Sequence, residues 1–137
     1  MWWIYALLSA AFAALTAIFA KIGIKGVDSD LATAIRTVII LIIAWGIALV
    51  KGSAENMGSL TKINWIFLIL SGCATGLSWI FYFKALQIGK VSQVAPVDKL
   101  SVALAIVLSV IFLKEPLTLK SALGASLIIG GTLVLIF

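Results

Sequence analysis

Histidine is absent from this 137-residue sequence, and cysteine occurs once, as Cys73. Without an imidazole there is no histidine acid–base chemistry, and a single thiol can neither close an internal disulfide nor build a Cys/His metal cluster. Cys73 lies in the middle of an apolar run and reads as a small packing residue. Charge is also scarce. Ten Lys or Arg and five Asp or Glu make up 11% of the chain, against about 25% in a soluble domain. The cations stand singly, so the net charge of +5 describes flanking charge on membrane helices and no nucleic-acid partner.

What the chain has is apolar side chain, 64% of all residues. No soluble core of this size buries so much, which excludes an ordinary globular protein, a disordered tail and a fibrous repeat. The expectation is an integral membrane protein. A spanning helix takes about 20 apolar residues, so five use about 100 and leave only short loops. A separate catalytic or nucleotide-binding domain has no room. The N-terminal Met1-Trp2-Trp3-Ile4-Tyr5 has no basic segment, and the apolar run after it is of full spanning length, unlike a secretory signal.

The fold class is thus all-α, with five transmembrane helices over about 2–20, 31–50, 63–83, 91–113 and 117–137, forming one domain over 1–137. Continuous apolar runs of this length argue against a β-barrel. Trp2, Trp3 and Tyr5 suit an interfacial aromatic belt. Asp28-Ser29-Asp30 supplies N-cap residues for the second helix. Pro116 suits the first turn of the fifth, and Glu115 beside it suits that helix's positive end.

The loop charges do not choose an orientation. Lys51, Lys62, Lys114 and Lys120 lie on the side of the N-terminus; Lys21, Lys25, Lys84 and Lys90 lie opposite, four against four. A chain without positive-inside bias can insert both ways up, and two opposed copies can pair about an axis in the membrane plane. The alternative is that the charges simply fail to report a unique orientation. Small residues recur every four positions at Ala122, Ser126 and Gly130, a surface for packing within the chain or between subunits. Gly72 and Gly76 share the spacing and read as packing within one chain.

Candidate pathway residues come from two patterns. On the third helix Ser71, Thr75, Ser78 and Tyr82 step by four, three and four and share one face, flanked by Trp79. Such a face suits a wet or substrate-facing surface. The second pattern is embedded charge: Arg36, Asp98 and Lys99 lie inside helices, at a cost of about 2.5–3.5 kcal/mol each on insertion scales. Arg36 and Asp98 both sit about 10 Å deep at about 1.5 Å per residue, entering from the same side, so a pair between them is geometrically possible. Lys99, next to Asp98, points to a different helix face. Pro96 removes a hydrogen bond to the Ser92 carbonyl and favours a kink beside the embedded carboxylate.

The stretch Trp79-Ile80-Phe81-Tyr82-Phe83-Lys84-Ala85-Leu86-Gln87-Ile88-Gly89-Lys90 resembles the end of the third helix in EamA domains of the drug/metabolite transporter superfamily. Val94-Ala95-Pro96-Val97-Asp98-Lys99-Leu100-Ser101, Leu113-Lys114-Glu115-Pro116-Leu117 and Leu123-Gly124-Ala125-Ser126-Leu127-Ile128-Ile129-Gly130-Gly131 continue the likeness. Arg36 fits the arginine usual in that family. The resemblance implies a multi-pass protein of a prokaryotic plasma or inner membrane that exports or exchanges a small metabolite by alternating access. Transport is then facilitative or ion-coupled, and Asp98 is the one embedded acid that could carry a proton. Most members carry two such domains in inverted orientation. One domain implies a second chain, and the balanced charges point to an antiparallel homodimer. The rivals are a subunit of a lipid-linked sugar flippase and a non-transporting membrane scaffold. No enzyme activity and no cofactor are implied. The expected partners are the lipid bilayer, a small-molecule substrate and a second copy of the chain.

Overall fold

A computed structural model describes all residues, 1–137. The chain is all-helical: α1 Trp2–Gly23, α2 Ser29–Val50, α3 Lys62–Ile88, α4 Val91–Asp98, α5 Leu100–Phe112 and α6 Leu119–Ile136, with a short 3-10 helix over Ser53–Ser59 between α2 and α3. Five segments are long and apolar enough to cross a membrane, and α4 with α5 together form the fourth, Val91–Phe112. The 22 residues of α1 or α2 rise about 33 Å, enough for a hydrocarbon layer of about 30 Å. Only six apolar residues are buried within the chain: Ala17, Ala20, Ile24, Phe83, Leu86 and Ala103. So small a core cannot hold this chain in water, and lipid must cover the apolar surface that remains.

Helix starts are fixed by side chains that satisfy the first free N–H groups. Asp28 accepts from the N–H groups of Asp30 and Leu31 at 3.0 and 3.1 Å, as its N-cap position predicts. At α3 the Thr61 hydroxyl accepts from the Asn64 N–H while the Asn64 amide oxygen accepts from the Thr61 N–H, both at 3.2 Å. Thr118 and Ser121 make the equivalent capping box at α6, 3.1 Å in each direction. This start lies later than the sequence suggests. Pro116 and Glu115 precede the cap and belong to the connection, because Thr118 and Ser121 offer reciprocal hydrogen bonds that proline cannot. Turns after α1 and α2 use left-handed glycines, Gly26 at φ 73° and Gly52 at φ 68°, a backbone shape glycine adopts without strain.

The chain divides into two compact units, Ala20–Gln87 and a second made of Met1–Phe19 with Ile88–Phe137. In the first, the end of α1, the start of α2 and the end of α3 are tied together. The Lys21 ammonium donates to the Leu86 carbonyl, and the Gln87 amide donates to the Val27 carbonyl at 2.8 Å. The buried Ala20, Ile24, Ser29, Thr33, Phe83 and Leu86 belong to these same three segments.

In the second unit α6 packs on both α4 and α5. The fourth span carries one irregular turn here. Lys99 adopts φ −72°, ψ −8°, and ends α4 before α5 begins. The irregularity lies three residues after Pro96 rather than before it. The Lys99 N–H bonds the Pro96 carbonyl at 3.0 Å, a tightened turn, and the buried Thr132 hydroxyl of α6 lies 3.2 Å from that carbonyl and 2.8 Å from the Ile128 carbonyl of its own helix. One hydroxyl proton is thus shared between two helices. Thr132→Val keeps the volume and removes that proton. It should lower stability to denaturing detergent by about 0.6 kcal/mol, and no more than about 1.7; unchanged unfolding in mixed micelles would show the cross-helix bond to be idle.

Candidate functional site: an embedded arginine and a broken span

The candidate residues fall into two groups, one in each unit. In the first unit Arg36 leaves α2 seven residues after its start and reaches the end of α3. Its guanidinium carbon stands 5.1 Å from the centroid of the Trp79 ring and 4.6 Å from that of Phe83. Trp79 and Phe83 are four residues apart on α3, so one ridge of the helix presents both rings. The Phe83 ring is 1% exposed and sits edge-on to Tyr82, centroids 6.1 Å apart and planes at 71°. Its position is therefore fixed, and the π-face it offers the cation is fixed with it.

The magnitudes decide whether this is enough to hold an arginine. Insertion costs about 2.5–3.5 kcal/mol, and a cation–π contact returns about 0.5–2 kcal/mol. Two contacts return about 1–4 kcal/mol, the same order as the cost. They do so through the π-faces and leave the hydrogen-bonding capacity of the guanidinium unused. No acid of its own unit, Asp28, Asp30 or Glu55, makes an ion pair with it; in the other unit Lys99 pairs with Asp98 at 3.1 Å. Within its own unit Arg36 has an aromatic ridge, and within its own unit Asp98 has the neighbouring lysine.

The polar stripe of α3 continues from these rings. Ser71, Thr75 and Ser78 are exposed, and Trp79 and Tyr82 are half-buried. Thr75 spends its proton on the Ser71 carbonyl at 2.9 Å, so its oxygen faces outward as an acceptor.

In the second unit Pro96, Asp98 and Lys99 all lie at the break of the fourth span. Regular helix geometry separates consecutive side chains by about 100°, yet Lys99 folds back onto Asp98. The irregular turn and the long lysine stem permit it. Their side chains remain 57% and 33% exposed, so the pair is an accessible feature of the surface. Ala122 is half-buried, and Ser126 and Gly130 are exposed. The reading of Gly72 and Gly76 as packing within the chain does not hold: a Cβ added at either, or at Gly130, meets no atom within 4 Å. These close-approach positions stand open. Sequence reasoning passed over Phe83 and Thr132. The i, i+4 spacing from Trp79 was a signal for Phe83; nothing in the sequence marks Thr132.

Five membrane-crossing helices with an arginine and a broken, charged span define a multi-pass α-helical membrane protein. The chain belongs to the EamA-like transporter family, whose family model matches residues 1–137, and is a membrane transporter. It is 48% identical over 134 residues to an uncharacterized transporter in the cobO 3'region of Sinorhizobium sp, covering 98% of this chain and 95% of the relative. It is also 36% identical over 69 residues to an uncharacterized protein of Methanocaldococcus jannaschii, half of each chain. No solved structure matches it.

The aromatic clamp on Arg36 is directly measurable. In a double-mutant cycle of Arg36→Met with Phe83→Leu, the coupling energy should be about 0.5–2 kcal/mol in favour of the native pair. Additive effects in detergent unfolding would mean that the ring and the cation do not interact.

Proposed function

We propose that the chain works as an antiparallel homodimer that moves a small polar or amphipathic metabolite across the membrane by alternating access. The observation that carries this reading is the irregular turn at Lys99 in the fourth span. The Lys99 N–H and carbonyl both keep backbone partners there, but the helix tightens toward 3-10 bonding, and tightened turns inside a helix often mark functional hinges. Here the irregular turn holds Asp98 and Lys99, and Pro96 weakens the turn before them. Asp98 is the embedded carboxylate at which protons couple to transport.

The homodimer is supported by the balanced loop cations and by the open positions at Gly72, Gly76 and Gly130. In lipid, helices associate through close backbone approach at small residues, and a second copy offers the complementary surface. In an inverted pair the two Asp98 carboxylates approach the midplane from opposite sides, one for each access state. Ser71, Thr75, Ser78, Trp79 and Tyr82 face the cavity.

Topology is tested by thiol labelling of Ser53→Cys and Gly89→Cys on a Cys73→Ala background. Each site should label from both membrane faces; labelling from one face only would exclude dual insertion.

Transport is tested with the purified chain in liposomes holding a pH-sensitive dye, challenged with a panel of amino acids and organic acids. A solute-dependent pH change is expected. It should vanish in Asp98→Asn while solute exchange persists, and Thr75→Trp should block both with the dimer intact. Full pH-driven activity in a folded Asp98→Asn protein would remove Asp98 from the coupling step.

A further inference from the structure

The hydrogen-bonding state of Arg36 points to the chemistry of the substrate. The guanidinium stands over two aromatic rings and pairs with no carboxylate of its own unit. No fully buried side-chain nitrogen or oxygen in the chain lacks a partner, so the unmatched nitrogens of Arg36 are accessible. The rings offset part of the cost of the charge without a ligand. The arrangement is also unsaturated, because cation–π contacts use no N–H donor. A planar fork of donors held against rigid rings in a low-dielectric setting matches one group best: a carboxylate, which takes two parallel N–H···O bonds.

The charge balance narrows the class. Arg36 is the one cation of this cluster, so a monoanion leaves the site neutral. A dianion would leave net charge in hydrocarbon, where unpaired charge is costly. The surroundings suit an organic acid: the half-buried Trp79 gives an apolar side, and the Thr75 oxygen, one turn along α3 from Trp79, accepts a hydrogen bond.

We propose that Arg36, held between Trp79 and Phe83, binds the carboxylate of a monoanionic substrate through the paired N–H groups of its guanidinium. The proposal deepens the transport reading by naming the substrate class, and its test is a binding measurement that does not depend on transport.

The test uses protein in phosphatidylcholine nanodiscs, with Trp2, Trp3, Trp45 and Trp65 replaced by Phe so that Trp79 alone reports. Benzoate should change Trp79 emission saturably, and benzamide, its uncharged counterpart, should not. Arg36→Gln should abolish the response. Arg36→Lys keeps the charge and loses the fork, and should raise the half-saturating concentration about tenfold or more. An equal response to benzamide, or unchanged saturation in either Arg36 variant, overturns the proposal. Sulfate, a dianion at neutral pH, is the third probe, and binding as tight as that of benzoate overturns the restriction to monoanions. Circular dichroism establishes that each variant is folded; if Arg36→Gln is not, Arg36→Lys decides alone. The two readings fail separately. Carboxylate binding in a chain that moves no solute counts against transport and leaves this site standing. Transport of solutes without carboxylate binding does the reverse.

Discussion

The constraint on which the rest of the structure depends is the absence of water in the bilayer core. Every backbone N–H and C=O there must find a partner within the protein. Continuous helices meet that demand along their length. At their ends, Asp28, Thr61 and Thr118 meet it with side-chain oxygens. The one place where a span is interrupted shows the same pressure. The Pro96 carbonyl is served by the Lys99 N–H and by Thr132 from a neighbouring helix. The break is thus held in place by a hydrogen bond from outside the helix, and packing of α6 on α4 is what supplies it.

Charge obeys the same rule by two different means. Asp98 is matched by the adjacent Lys99, a pair made within one turn of chain. Arg36 is matched by the rings of Trp79 and Phe83, supplied by another helix. The first solution neutralises charge and the second leaves it in place, because a ring quadrupole attracts a cation without cancelling it. An arginine stabilised in this way keeps its hydrogen-bonding capacity for something else.

The surface tells a related story. Almost all large apolar side chains face outward, and a Cβ added at Gly72, Gly76 or Gly130 meets no neighbour. Lipid accounts for the exposed Leu, Ile and Phe. It gives no reason for a row of glycines to be left open, since small residues in membrane helices matter for backbone approach.

Much of this was legible in the sequence. Five apolar runs gave five spans because the bilayer imposes a length that composition reveals directly. The cap at Asp28 was readable because capping is a matter of neighbouring residues. Arg36, Asp98 and Pro96 stood out because charge and proline are conspicuous against a background of leucine and isoleucine. The particular partners were not legible. Arg36 against Phe83, Thr132 against Pro96 and Lys21 against Leu86 join residues 36 to 65 positions apart, and one-dimensional spacing carries no information about which helix faces which. The start of α6 was misplaced because proline chemistry at 116 was visible while the reciprocal Thr118–Ser121 bonds compete for the same turn. The sequence by itself determined the class, the number of spans and the inventory of charges, since the energetics of insertion act on each segment separately. Only the tertiary structure decided what each charge is matched to, because that depends on which helix faces come together.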